Sequence, residues 1–363
     1  FSGISGKQVA ALTRFLSGSL GRFLDQRFES EKLKRLILSN SLYGKHGGPY
    51  QAGTAMGLLF HLLSGGDKEQ QAWQGHVIGG MGAITEAMQS ACLDLGVSIR
   101  TDSTVSKINM INACATGVTL SSGETFDAPI VVSNADPKRT FLDLIEASEL
   151  DAEFRRDVQN IHMDGPAGKV NYVLAEEPRV TGMPDTRTRS ERSLFTLIPT
   201  LQEAEDNYNA CQRGEIPDRL WVDCVVASNV DDTLAPKGRH MLTCFVQYLP
   251  YNLCDRSWES QRDDLGDRVT ALIGEYAPNV PASVVARRVL TPVDLEAQFG
   301  ITEGNIFHGD ISMVQMFFMR PMPDWSQYKT PIDGVYLCGA GTHPGGGVTG
   351  APGYNAAHAI LRG

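Results

Sequence analysis

None of the seven cysteines (92, 114, 211, 224, 244, 254, 338) stands in a C-x-x-C pair, and the eight histidines form no H-E-x-x-H or comparable cluster. Metal-ligand spacing is therefore missing, and no metal site is expected. Odd in number and scattered, the cysteines read as small buried hydrophobes of a reducing compartment; a bacterial cytoplasm and a mitochondrial matrix fit equally. No run reaches the ~20 apolar residues of a transmembrane helix. A basic excess is lacking too. The formal charge of −10 argues against nucleic acid as partner, because phosphate backbones demand a basic face. The opening "FSGISGKQVAALTRFL" has neither an initiator Met nor a charged-then-apolar-then-small signal architecture, and the expectation is an internal start. What is present is a globular composition, 42% hydrophobic and 20% charged over 363 residues, long enough for one large or two ordinary domains.

Residues 1–75 read mainly as helix, from apolar residues at three- and four-residue spacing in "SGKQVAALTRFLSGSLGRFLDQRF". The character changes at His76. A glycine turn leads into an amphipathic helix whose apolar face is Ile84, Ala87, Met88, Ala91 and Leu95, with Gly96 as its stop. β-Branched runs separated by Ser-Gly turns follow, and "APIVVSN" has the unbroken apolar character of a strand buried on both faces. Further on, "GKVNYVLAE", "RLWVDCVVAS" and "RHMLTCFVQYLPY" are strand candidates. "SWESQRDDLGDRVTALIGEYAP" is a long amphipathic helix with Leu265, Val269, Leu272 and Ile273 on one side. "TPVDLEAQFG" carries its own punctuation, with Thr291 as N-cap, Pro292 at the first helical position, Asp294 three residues after the cap and Gly300 as terminator.

The densest signal lies near the end, in "GVYLCGAGTHPGGGVTGAPGYNAA". Eight of the twenty residues from Gly334 to Gly353 are glycine, and no charged residue occurs between Gly334 and Leu361. A buried strand enters a glycine turn, and a helix with Pro352 in its first turn leaves it. Strand, glycine loop and helix N-terminus together present free N–H groups, and the helix dipole adds partial positive charge. The spacing at 339, 341 and 345 is GxGxxxG. By itself that also fits a tight turn with close helix–strand packing. The second run, Gly345-Gly346-Gly347, exceeds what packing requires, and an uncharged stretch suits a planar group. A self-contained Rossmann unit is excluded, because only 16 residues remain after Gly347, too few for a second strand and an acidic residue ~20 positions on.

These residues resemble the carboxy-terminal flavin-contacting motif of the phytoene desaturase-like FAD-dependent oxidoreductases. Across "GNIFHGDISMVQMFFMRPMPDWSQYKTPIDGVYLCGAGTHPGGGVTG", "VIGGMGAITEAMQSACLDLGVSIRTDSTVSKI", "VVSNADPKRTFLDLI" and "VLTPVDLEAQFGITEGNIFHG" the resemblance is closest to the pyridine nucleotide-disulfide oxidoreductase domain-containing protein 2 branch. It implies an α/β chain in which a discontinuous FAD-binding, Rossmann-like domain interleaves with an α+β substrate domain. Mapped here, 76–140 and 326–363 are the FAD-domain pieces, and 1–75 and 141–325 the substrate domain. Enzymes of this kind begin with a βαβ unit carrying GxGxxG for the ADP half of FAD. Residues 1–75 hold nothing of the kind, so a fragment without that unit is expected, with association with the missing unit or with a second copy.

The resemblance also implies roles. Gly339, Ala340 and Gly341 would approach the pyrophosphate or ribityl chain through backbone alone, since Ala340 occupies a place where relatives often carry an acid. His343, Gly345, Gly346, Gly347 and Val348 would pass along the isoalloxazine ring, and Thr342 before them would also belong to the cofactor-binding set. Gly350, Ala351 and the following helix amides would face its N1–C2=O edge. Val105 would meet the adenine, and Gly79 and Gly80 would sit under the flavin. For each, plain packing is the competing explanation. His308 and His343 are acid/base candidates because imidazole titrates near neutrality, although a structural role suits each. Arg320 suits either a carboxylate substrate or an internal acid. The implied activity is hydride transfer from a small organic substrate, apolar ones included, to FAD. A membrane-bound carotenoid desaturase, an amine oxidase and a non-catalytic assembly protein are the alternatives.

Overall fold

In a computed structural model, residues 5–44, 47–63, 75–163, 167–184 and 186–362 are described. Four helices open the chain: α1 (Gly6–Ser17), α2 (Leu20–Asp25), α3 (Glu31–Leu38) and α4 (Ala55–Leu63). Ser5, Ser19 and Ser30 cap the first three, each hydroxyl accepting a first-turn N–H, which satisfies a donor that helix geometry leaves over. Helix α5 (Gly82–Asp94) follows, then an antiparallel meander of β1 (Val105–Ile111), β2 (Cys114–Leu120) and β3 (Thr125–Asp127). Strand β4 (Val131–Ser133) comes next, then α6 (Ala152–Gln159).

The main sheet is built from β5 (Ala167–Leu174), β6 (Leu194–Leu197), β7 (Trp221–Val226), β8 (His240–Gln247) and β9 (Val284–Leu290), in the order β6-β7-β8-β5-β9 and antiparallel throughout. Helix α7 (Leu201–Gln212) links β6 to β7, and α8 (Trp258–Tyr276) and α9 (Val280–Ser283) link β8 to β9. Strand alternation divides the side chains between two faces. Val170, Tyr172, Val222, Cys224, Leu242, Cys244 and Val246 point one way and form a core with Leu265, Val269, Leu272 and Ile273 of α8. The long amphipathic helix is thus placed as its sequence predicts. On the opposite face α2, α3 and α7 pack against Trp221 and Tyr248.

Helix α10 (Pro292–Phe299) has the expected capping box at Thr291 and Asp294, and Gly300 ends it in the left-handed region at φ 66°. Strand β10 (Val335–Leu337) then lies parallel to β4, Tyr336 opposite Val132, and α11 (Ala351–Arg362) closes the described chain. No helix among the described residues is long and apolar enough to cross a membrane.

Three expectations need correction. The apolar face predicted for the 82–94 helix is not buried: Ile84 is half-exposed, while Ala87, Met88, Ala91 and Leu95 are exposed. Nothing among the described residues packs over it. Strand β4 is three residues long and pairs on one edge alone, leaving Val132 and Ile130 exposed rather than covered on both faces. Lastly, the cysteines are not uniformly buried. Cys211, Cys224 and Cys244 are, but Cys114 and Cys254 are exposed and Cys92 and Cys338 half-buried. Cys114 begins β2 directly after the Asn112-Ala113 turn and Cys254 lies in a loop, where chain direction rather than hydrophobicity sets exposure.

Candidate functional site

The parallel pair of β4 and β10 delivers two loops to one end. Cys338 donates its N–H to the Ser133 carbonyl at 2.9 Å, so the 134–140 turn and the 338–350 loop start side by side. Thr342 folds the latter back, its N–H and Oγ1 both donating to the Gly339 carbonyl at 3.0 and 2.8 Å.

The glycines of this loop divide into two kinds. At Gly339 a Cβ would stand 2.7 Å from the Asn134 carbonyl, at Gly341 2.6 Å from Pro137 Cδ, and at Gly346 3.1 Å from the Phe307 ring. Their missing side chains are explained by the protein's own neighbours. Gly350 and Gly353 have nothing within 4 Å of a Cβ, and Gly347 meets only the Thr349 methyl at 3.7 Å. These face open space. Gly345, Gly347 and Gly350 sit at φ 108°, 134° and 69°, and Val348 at φ 57°, a conformation that strains a β-branched residue by about 1–3 kcal/mol. The amides of Gly339, Ala340, Gly341 and Gly346 through Gly350 meet no acceptor among the described residues. Ala351 donates to Thr349 Oγ1 as α11 begins. A glycine-rich loop that presents unpaired N–H groups and leads into a 12-residue helix suits an electron-rich group.

Behind this loop lies Arg320, wholly buried with no acid within ion-pair distance among the described residues. Its guanidinium donates instead to the carbonyls of Ala340 (2.8 and 3.1 Å), Gln315 (3.1 Å), Gly309 and Asp310 (3.4 Å each) and Phe307. Burial lowers its pKa to about 10, against the opposing pull of Asp310. Neither role considered from the sequence applies; Arg320 is a clamp that fixes the 307–316 segment against the glycine loop.

His308 and His343 flank it. Burial, and then the Arg320 charge, lower His343; burial also lowers His308, which Asp136 partly offsets. Both Nδ1 atoms are buried without a partner. The remaining predicted residues lie apart from this cluster or outside its contacts. Gly79 donates to Asp231 Oδ2 at 2.6 Å, and a Cβ on Gly80 would stand 3.1 Å from Leu234, so this turn docks on the 231–234 loop. Val105 opens β1 and is half-buried.

Comparison with known proteins decides the family. The model for flavin containing amine oxidoreductases matches residues 9–361. The chain belongs to this flavin-containing family. Over 98% of its length it is 35% identical to mouse pyridine nucleotide-disulfide oxidoreductase domain-containing protein 2, of which it spans 63%. It is 26% identical to a phytoene desaturase (lycopene-forming) of Pantoea ananas over 90% of the chain and 62% of that relative. Among solved structures, a putrescine oxidase variant redesigned in cofactor binding superposes with a TM-score of 0.56 at 15% identity, covering 97% of this chain and 69% of that one. The resemblance read from the carboxy-terminal motif holds at the level of family and fold: the chain has a flavin amine oxidase-like fold of mixed helices and sheets and belongs with flavin oxidoreductases, spanning 63% of the mouse relative's length.

Open space at Gly347, Gly350 and Gly353, unpaired amides and uncharged walls suit a planar, electron-rich ring. Sequence reasoning singled out this loop. It did not find the clamp function of Arg320, whose only signal was a charge in an otherwise apolar segment.

Proposed function

We propose that the chain holds the flavin ring and the organic substrate of a dehydrogenase or oxidase in which hydride passes from substrate to flavin. The carrying observation is the loop from Gly346 to Gly350, whose amides meet no acceptor among the described residues and whose Gly347 and Gly350 face open space where α11 begins. FAD supplies the hydride-accepting chemistry when bound. The chain's own residues do the rest. Gly346, Gly347 and Val348 lie along the ring, and the amide of Gly350 with the dipole of α11, which opens at Ala351, stabilises negative charge at its edge. Gly339, Ala340 and Gly341 offer amides to the phosphate or ribityl side, Arg320 keeps that backbone in place, and Thr342 and His343 carry the loop between the two ends. The unpaired His308 and His343 are neutral at pH 7, given their lowered pKa values, and suit hydrogen bonding better than charge donation.

The parallel pairing of residues 131–133 with 335–337 supports an interleaved division, with 76–140 and 326–363 on the FAD side and 1–75 and 141–325 on the substrate side. An apolar organic substrate is favoured by the 306–318 stretch in and beside the segment that Arg320 clamps, where Ile306, Met313, Val314 and Phe318 are exposed. Titration of the purified chain with riboflavin and FAD tests the ring site through quenching of flavin fluorescence. Quenching that Gly350→Val removes is expected. No flavin binding, even by a chain extended to its relatives' length, overturns the reading.

A further inference from the structure

The α8-facing side of the main sheet is apolar; the opposite side is not. There Trp221 stands opposite Gln247, and Asp223 opposite Phe245 and Thr196. Trp221 Nε1, both Asp223 carboxylate oxygens and Gln247 Nε2 are buried without a hydrogen-bond partner. Their residues are 0%, 7% and 2% exposed. Orphaned buried polar groups cost about 1–3 kcal/mol each, and a cluster on adjacent strands calls for an occupant. Tyr43 lies over it, its ring centroid 6.3 Å from Trp221 and 5.8 Å from Phe245. Burial raises the Asp223 carboxyl to about 6, while the nearby donors Tyr43, Thr196 and Trp221 pull it down.

The cluster is joined to the flavin loop. Cβ atoms added at Gly44 and at Gly346 would both strike the Phe307 ring, so one aromatic side chain spans from the Tyr43 strap to the glycine loop. Thr196, Phe245 and Lys169 on the same face are half-buried, so the face is not sealed.

We propose that Trp221, Asp223 and Gln247 form the polar end of the substrate chamber and bind the hydroxyl group of an alcohol. The assignment follows from counting donors and acceptors. A hydroxyl accepts from the Trp221 and Gln247 N–H groups while donating to Asp223. An ammonium has no lone pair and leaves both N–H groups orphaned. A carboxylate cannot donate and is repelled by ionised Asp223. A hydrocarbon end satisfies nothing. The inference rests on the substrate-side reading above. Because its test measures binding and not turnover, its failure leaves the flavin site standing.

The test uses the purified chain with 15N-labelled tryptophan indoles, the Trp221 resonance being assigned by its loss in Trp221→Phe. The probes are 1-hexanol, hexylamine and hexanoate. Hexanol is expected to move the Trp221 Nε1–H resonance and to bind at least about fivefold tighter than either charged probe. Trp221→Phe and Gln247→Leu should each weaken it about fivefold, whereas Asp223→Asn, which keeps an acceptor, should change it less than about threefold. The wild-type resonance shift reports binding even if a variant folds poorly. Tightest binding by hexylamine with loss in Asp223→Asn, preference for hexanoate, or no shift with any probe, meaning water alone fills the cluster, each overturns the proposal.

Discussion

Arg320 and Asp223 are both buried ionisable groups without an ion-pair partner, and the molecule treats them in opposite ways. Around Arg320 five carbonyls converge, from Phe307, Gly309, Asp310, Gln315 and Ala340. Around Asp223 three donors stand near, yet both oxygens remain unmatched. A charge whose hydrogen bonds are complete fixes structure. One left incomplete inside a packed sheet costs stability and is poised for a ligand. The two regions therefore predict opposite responses to neutral substitution.

The largest effect belongs to the satisfied charge. Replacing Arg320 by Met leaves its carbonyls without a donor and frees the 307–316 segment from the glycine loop. A loss of more than about 3 kcal/mol in urea unfolding is expected. Arg320→Lys, with the charge but not the planar fork, should fall between. Near-neutral Arg320→Met would break the contrast, because the clamp would then carry no energy.

At Asp223 the sign reverses. Its carboxyl holds a proton more tightly in the folded chain, at about 6, than at its ordinary value of 3.8. The stability it contributes is complete below pH 3.8 and is lost as pH rises through about 6. Asp223→Asn should thus leave stability unchanged near pH 4 and raise it at pH 8 by up to about 3 kcal/mol. Lys169 on the same sheet face is a half-buried charge and moderates the gain. Thermal unfolding of both proteins across that range measures the difference, and a less stable variant at pH 8 contradicts the picture of an uncompensated acid.

This contrast also marks what a sequence can disclose. The capping box of α10, the apolar stripe of α8 and the alternation in β5 and β8 are local rules that tertiary packing did not override. The glycine loop was legible because backbone conformation is written in residue type. Two kinds of information were not local. The stripe on α5 named a face without naming what covers it, and among the described residues nothing does. In "WVDCVV" an acid on a strand reads as an outward polar residue by period-two alternation; only the helices and the Tyr43 strap laid over that face bury it. Which glycines serve packing and which face open space was hidden for the same reason, since Asn134, Pro137 and Phe307 come from elsewhere in the chain.

The two kinds of glycine give the finer tests. Gly341→Ala drives a methyl to 2.6 Å from the Pro137 ring, which has no flexible end to yield, and should destabilise by about 1–3 kcal/mol. Gly353→Ala meets nothing within 4 Å and lies inside α11. Its helix propensity should raise stability by about 0.5–1 kcal/mol. The same methyl projects into the space assigned to the ring, so flavin affinity should drop while the fold gains. Unfolding and riboflavin titration on one preparation separate the two effects. Stability and affinity rising together in Gly353→Ala would mean that the open side of the loop is not where the ring lies.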